Sequence, residues 1–158
     1  MKKLKKIILA VIVLAVISIQ FLPYGRGHTN PAVAAEPEWD SANTREVFYQ
    51  ACADCHSNET KWPWYSYVAP VSWLVKHDVG EGRQHLNVSM WGVQRRNHGD
   101  DAVEQVENAE MPPWYYAIMH HEAKLSDNDK QEFIKGLTAT FGEGHHRPRE
   151  DNWQLSNR

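Results

Sequence analysis

The sequence predicts an all-α domain with long loops rich in aromatic residues, preceded by an apolar N-terminal segment. Apolar side chains recur at helical spacing along residues 43–56 and again along residues 126–141. A chain of 158 residues allows one domain in addition to its N-terminus. The strand and helix alternation of a βαβ unit does not occur in the sequence. We therefore expect helices to form the core.

A lysine cluster and an apolar run form the N-terminal segment, residues 1–24. The run covers residues 7–22 and is interrupted only by Ser18 and Gln20. This pattern is typical of a transmembrane helix with its lysines on the cytoplasmic side, or of a signal peptide cleaved at the small residues 32–35. Either outcome places the remaining chain on the periplasmic side of the bacterial cytoplasmic membrane, anchored or secreted.

Three further segments follow. Residues 25–40 contain glycines and prolines without a hydrophobic period, which indicates a linker, and His28 within it is expected to be a solvated loop residue. Residues 41–141 form the predicted helical domain. Residues 142–158 are polar and unpatterned, which predicts a disordered tail.

The charge distribution limits the possible partners. Residues 36–158 carry 12 Lys and Arg against 20 Asp and Glu, a formal balance of −8. An acidic surface argues against nucleic-acid binding. It favours partner proteins with a basic docking face.

The most informative motif contains the only two cysteines, Cys52 and Cys55, with His56 directly behind them. C-x-x-C-H is the attachment signature of c-type haem, because two thiols one helical turn apart can each form a thioether with a vinyl group of the ring. The next residue, His56, then ligates the iron from the proximal side. The motif predicts one covalent haem c and its iron.

Three other chemistries fit the cysteine pair less well. A redox disulfide normally lies in a βαβ pattern, which this chain lacks. A structural zinc ion takes four ligands, and the sequence offers no second cysteine pair. A disulfide that closes so short a loop removes little chain entropy.

The aromatic and proline-rich segment 61–73 is predicted to cover a large apolar group such as a porphyrin. Trp73 and the later Trp91 are candidate contacts, with ordinary core packing as the alternative. A carbonyl near Pro70 is expected to accept the free ring N–H of His56.

A short helix is expected over residues 71–79, followed by the glycines of Gly80-Glu81-Gly82. Arg83 is then placed to pair with a haem propionate in bidentate fashion. A solvated surface arginine is the alternative.

Met111 is the predicted sixth ligand of the iron. It precedes Pro112 and Pro113, whose stiffness fixes the thioether in position. Ligation by methionine and histidine raises the reduction potential and leaves little room for a substrate. A core methionine is the alternative, and Met119 and His120 are the competing ligands.

Taken together, these motifs resemble class I cytochrome c, in which the C-x-x-C-H helix packs against a C-terminal helix. More closely, the chain is similar to the single-haem haem-binding domain family of exported bacterial proteins. The residues that carry the resemblance are H-T-N-P at 28–31, C-A-D-C-H-S-N-E-T-K-W-P-W at 52–64, A-P-V-S-W-L-V at 69–75 and E-M-P-P-W-Y-Y at 110–116. The resemblance covers about residues 28–140 and implies covalent haem on Cys52 and Cys55 with His56 proximal.

These observations predict a small monohaem c-type cytochrome that passes single electrons between redox proteins. The sequence shows no combination of acid, base and nucleophile that would indicate an enzyme. Two alternatives require an open or displaceable sixth ligand. One is a haem-based sensor or small-ligand binder, and the other is a peroxidase-like enzyme with His120 as the distal acid and base.

Overall fold

The computed structural model describes residues 1–95 and 97–142 of the chain. Their regular secondary structure is helical throughout, and an isolated bridge joins Ala35 to Met90. The predicted all-α class is therefore confirmed. In chain order, the α-helices are α1 (Lys2–Ile19), α2 (Ala42–Ala51), α3 (Ala53–His56), α4 (Val71–His85), α5 (Asp101–Glu107), α6 (Trp114–Met119) and α7 (Asp127–Phe141), with 3-10 helices at Trp64–Tyr67 and His121–Ala123.

The chain divides into two compact units. The first contains residues 1–37 and 48–97, and the second contains residues 38–47 together with the residues from 98 onward. Both units contribute to the segment 41–141 that was predicted as one domain. The predicted disordered tail lies outside the described residues, apart from Gly142.

The N-terminal run forms α1, and its apolar side chains are exposed. Within residues 1–95 and 97–142, no helix is both long enough and apolar enough to cross a membrane. Gln20 follows α1 directly. Its side-chain amide donates to the Ala69 carbonyl at 2.8 Å and accepts from the Ala69 N–H at 3.0 Å. This pair of hydrogen bonds joins the end of α1 to the loop before α4.

The segment 25–40, predicted as a linker, is instead held to the first unit along much of its length. His28 is half-buried, its ring stacks on Trp62 at 4.3 Å, and its Nε2 lies 3.1 Å from the Ser66 carbonyl oxygen. His28 is therefore not the solvated residue that was predicted, because its ring is covered by a segment distant in sequence. Further hydrogen bonds join Asn30 to Thr60, Ala32 to Asn58 and Ala34 to Ser89.

Helix α2 begins directly after Ser41, which caps it. Ser41 Oγ accepts the Thr44 N–H at 3.1 Å, which satisfies a free amide of the first turn. The helical stripe predicted over residues 43–56 is interrupted at Cys52, whose φ of −126° and ψ of −33° are not helical. The motif therefore lies at and after a break between α2 and α3.

Helix α4 is longer than the predicted 71–79 and continues through both glycines to His85. A Cβ atom on Gly82 would come within 2.6 Å of the Cys55 carbonyl oxygen. Glycine at this position therefore lets α3 and α4 pack with their backbones close together. Gly82 marks a close approach, and neither glycine ends the helix as expected.

In the second unit, α7 begins one residue after the predicted residue 126 and ends at the predicted residue 141. Ser126 Oγ accepts the Asp129 N–H at 3.2 Å, and Gly142 ends the helix with a φ of +92°. Helix α7 packs against α5, and its Gly136 lies against the Thr44 side chain of α2. Among the described residues of this unit, the buried apolar side chains are Val106, Ala123, Phe133 and Leu137.

Candidate cofactor site

The short helix α3 and the residue before it carry the whole C-x-x-C-H motif. The Cys52 N–H donates to the Phe48 carbonyl at 2.8 Å, so the turn continues directly from α2. The Cys55 and His56 amides both donate to the Cys52 carbonyl, at 3.1 and 3.0 Å. These hydrogen bonds close a single turn that holds both thiols and the imidazole.

The His56 ring is fixed by two backbone carbonyls. Its Nδ1 lies 3.1 Å from the Gly82 oxygen and 3.0 Å from the Leu86 oxygen. A carbonyl only accepts, so Nδ1 carries the proton and Nε2 keeps a lone pair. Nε2 has no hydrogen-bond partner among residues 1–95 and 97–142. Burial also lowers the pKa of His56, although the two carbonyls act in the opposite direction. A neutral, oriented imidazole with an available Nε2 is what a metal ligand requires.

The orienting carbonyls are not where they were predicted. The Pro70 carbonyl accepts the Trp73 N–H at 3.0 Å, within the first turn of α4. The carbonyls beside His56 belong to the last turn of α4 and to Leu86 just after it. The prediction of a backbone acceptor was correct in kind and wrong in position, because α4 extends further than expected.

Both cysteines are free thiols. Burial raises the pKa of Cys52 to about 12. Burial likewise raises the pKa of Cys55 to about 12, and the nearby Asp78 and Asp54 carboxylates contribute. A redox-active C-x-x-C pair has the opposite perturbation, a lowered thiol pKa. The described residues also contain no cluster of three or more His, Cys, Asp or Glu suited to a metal ion. Neither the redox nor the zinc alternative gains support.

Arg83 spans the segment after the motif and the H-T-N-P segment. Its Nε donates to the Ser57 carbonyl at 2.7 Å and its Nη1 to the Thr29 carbonyl at 2.9 Å. Its Nη2 donates to Asn30 Oδ1 at 3.0 Å and to Thr60 Oγ1 at 2.8 Å. A guanidinium has five N–H donors in all, and these contacts use four of them. The predicted bidentate pairing with a propionate is therefore not supported, because it needs two donors.

A buried polar network behind the motif was not predicted. Asn87 Nδ2 donates to Asn58 Oδ1 at 2.9 Å, and the Asn58 N–H donates to Ser89 Oγ at 3.0 Å. The Val88 N–H donates to the His56 carbonyl at 2.9 Å. Asn58 and Ser89 are 2% and 0% exposed, so the network is costly to leave unpaired and holds the site firmly. Single asparagines and serines carry no sequence signal for such a network.

The two tryptophans predicted to cover the cofactor lie in different surroundings. Trp73 is nine residues before Gly82, and 3.6 residues per turn place it on the opposite side of α4 from the face that contacts α3. Its ring contacts Tyr24 with centroids 6.5 Å apart. The structure therefore does not bring Trp73 to the motif, because α4 carries it to the N-terminal segment. Trp91 is half-buried, and its backbone N–H donates to the Ala35 carbonyl at 3.1 Å.

The predicted sixth ligand and its competitors belong to the second unit. Met111 is half-buried, and its N–H donates to the Gln105 carbonyl at 3.1 Å. Met119 is 53% exposed. His120 Nδ1 lies 3.0 Å from a Glu122 carboxylate oxygen, so this nitrogen is engaged by a carboxylate. Met111 is the better shielded thioether, and its role stays a prediction.

The residues of the first unit fit a c-type haem. Two free thiols lie at the start and end of one turn, and the following imidazole presents an available nitrogen whose orientation is fixed. The helical fold and this site define a haem-binding protein. Residues 14–139 match the family model described as haem-binding domain, and the chain belongs to that family. The resemblance inferred from the motifs is thus confirmed. Comparisons with curated proteins and with solved structures find no match.

Proposed function

We propose that this protein is a monohaem c-type cytochrome that carries single electrons between redox proteins. In this proposal haem is attached through Cys52 and Cys55, and His56 is the proximal ligand. The observation that supports it most strongly is the pair of carbonyls, Gly82 and Leu86, that fix His56 Nδ1 and leave Nε2 available. When bound, the haem supplies a one-electron iron couple whose potential depends on the axial ligands and on burial.

In this proposal the surrounding residues orient the imidazole of His56. The carbonyls keep the imidazole in one tautomer and one orientation. The network of Asn58, Asn87 and Ser89 joins the backbone just after the motif to residues 87–89. An imidazole held this firmly would keep its position when the oxidation state of the iron changes. A fixed ligand position suits electron transfer.

Met111 completes the proposal as the sixth ligand. A methionine that precedes two prolines has a restricted backbone, and its side chain is partly shielded. Ligation by methionine would close the coordination sphere to small ligands, in keeping with a carrier rather than an enzyme.

We further propose that the protein acts at the periplasmic side of the cytoplasmic membrane. The acidic balance of residues 36–158 favours redox partners with a basic docking face. Electron exchange with such partners is expected to slow as the ionic strength rises, because salt screens the attraction between opposite charges.

The optical spectrum of the full-length protein, matured in a host that assembles c-type cytochromes, tests the function. A carrier is expected to have low-spin iron, a methionine charge-transfer band and no reaction with carbon monoxide. High-spin iron that binds carbon monoxide readily would contradict the carrier function. That result would favour a sensor, a small-ligand binder or a peroxidase-like enzyme.

A further inference from the structure

The N-terminal segment is built into the first unit of the fold. His28 stacks on Trp62, and Asn30 accepts hydrogen bonds from Trp62 Nε1 at 3.1 Å and from Arg83 Nη2 at 3.0 Å. Cleavage among residues 32–35 would remove His28 and Asn30 and leave the donors of Trp62 and Arg83 without these acceptors. The structure therefore favours retention of α1 over its removal as a signal peptide.

An exposed apolar surface surrounds the point where α1 joins the unit. We call it the aromatic surface. It consists of Phe21 (82% exposed), Leu22 (49%), Tyr24 (61%), Trp64 (73%), Tyr67 (55%), Val68 (43%), Val71 (42%) and Leu74 (45%). So many large apolar side chains exposed together are unusual for a protein surface that faces only water.

The two chain segments that form the aromatic surface are in direct contact. The Gln20 side chain bonds both backbone groups of Ala69, one residue from Val68. The Tyr24 ring contacts Trp73. Gly25 lies so close to α4 that a Cβ atom there would approach the Ser72 backbone to 2.8 Å. These contacts bring the segment after α1 against the segment that carries Val68, Val71 and Leu74.

The segments that carry the aromatic surface differ in charge from the remainder of the chain. Residues 1–35 and 60–77, which include all of the aromatic surface, carry seven Lys or Arg and no Asp or Glu. The whole chain nevertheless has a formal net charge of −3. Of these seven, Arg26, Lys61 and Lys76 lie in the segments that expose apolar rings, whereas Lys2, Lys3, Lys5 and Lys6 lie at the opposite end of α1.

We propose that the aromatic surface rests on an anionic phospholipid bilayer. Tryptophan and tyrosine favour the membrane–water interface because their rings are apolar and their tips are polar. Lysine and arginine beside them are attracted to anionic headgroups. Residues 7–19 of α1 are apolar on all sides except at Ser18, and in this proposal their exposed side chains contact the same bilayer.

Contact with the bilayer would also fix the orientation of the first unit relative to the membrane. Helix α4 is 15 residues long, about 22 Å at the rise of an α-helix. Its first turns carry Val71 and Leu74 of the aromatic surface, and its last turn carries Gly82 beside His56. The proposal therefore places the C-x-x-C-H turn away from the lipid, at the far end of α4. This inference shares the membrane location with the proposed function and does not depend on electron transfer.

Hydroxyl-radical footprinting of the full-length protein in bilayer discs of phosphatidylethanolamine and phosphatidylglycerol tests the proposal. Trp64 is 73% exposed, and the side chain of His85, at the far end of α4, is also 73% exposed. Each oxidation rate is divided by the rate of the same residue in the urea-unfolded protein. We expect the normalised rate of Trp64 to be at least fivefold lower than that of His85. Equal normalised rates would overturn the proposal.

Two further measurements distinguish lipid from other occupants. Trp64 should be protected to the same degree in discs that hold one copy of the protein and in discs that hold several copies. Protection that occurs only at high loading would mean that a second copy covers the aromatic surface, and it would overturn the proposal. Trp64→Glu should raise the oxidation rate of Tyr67 severalfold, while the control Val93→Glu, at a 62% exposed site, should not. An unchanged Tyr67 rate in Trp64→Glu would also overturn it. None of these readouts reports on the haem, so their failure is separate from failure of the proposed function.

Discussion

Replacing Gly82 with alanine tests whether the close approach of α3 and α4 holds the site. A Cβ atom at this position would lie 2.6 Å from the Cys55 carbonyl oxygen and 3.0 Å from its carbonyl carbon. Backbone atoms of the motif cannot move aside as a flexible side chain can. The turn that carries Cys55 and His56 must therefore shift away from α4.

Gly80 provides a matched control on the same helix. A Cβ atom there meets no described atom within 4 Å. Gly80→Ala should stabilise the protein by about 0.5–1 kcal/mol, the usual gain from alanine in a helix. Gly82→Ala has the same gain but also pays about 1–3 kcal/mol for overpacking and about 0.5–1.5 kcal/mol for a weakened His56 hydrogen bond. The two variants should therefore differ in free energy of unfolding by about 1.5–4.5 kcal/mol.

Urea denaturation of both variants and the wild-type protein measures this difference. The comparison requires that the free energy of unfolding falls with urea concentration at the same slope in all three proteins. Haem content per polypeptide should fall in Gly82→Ala and stay at the wild-type level in Gly80→Ala. If Gly82→Ala were as stable as Gly80→Ala and held as much haem, the packing between α3 and α4 would not support the site.

Four other variants have defined outcomes. Met111→Ala should abolish the methionine charge-transfer band and let carbon monoxide bind, whereas Met119→Ala should leave the visible spectrum unchanged; the reverse pattern would assign the ligand to Met119. Arg83→Lys should lower the free energy of unfolding by about 1–3 kcal/mol, because lysine cannot replace the four hydrogen bonds in fork geometry; unchanged stability in a thermal melt would contradict this role. Gly136→Ala should destabilise by about 1–3 kcal/mol, since its Cβ would overlap the buried Thr44 side chain, and a rise in melting temperature would refute that contact.

Local chemistry made several elements predictable from the sequence. The Ser41 and Ser126 caps and the stop at Gly142 depend on residues within one turn of each helix end, and the structure has all three. The identity of the cofactor class followed from the spacing of Cys52, Cys55 and His56, and the family match agrees with it. Short-range signals of this kind do not depend on the tertiary fold.

Contacts between distant segments were not predictable. The carbonyls that hold His56 lie 26 and 30 residues away, and nothing in the sequence near Gly82 indicates which backbone packs against it. His28 was wrongly predicted to be solvated for the same reason, because its partners in the first unit are more than 30 residues distant in the sequence. A glycine within an otherwise helical stretch has two meanings, a helix end or a close approach, and only the neighbouring chain decides between them.

The polar network around Asn58 was missed for a related reason. Asparagine and serine favour loops and caps in general, and so their sequence gives no hint of burial. In the structure they pair with one another and with the backbone N–H groups of Asn58 and Ser89. Their burial became apparent only from the arrangement of residues 86–89 beside α3.

The central claim is that one haem is covalently attached at Cys52 and Cys55. Intact-mass spectrometry followed by peptide mapping tests it on full-length protein matured in a host that assembles c-type cytochromes. The account predicts a mass equal to the polypeptide plus one haem, with the added mass on the peptide that contains residues 52–56. Protein with the mass of the bare polypeptide, or with haem that is removed by acidified solvent, would contradict it.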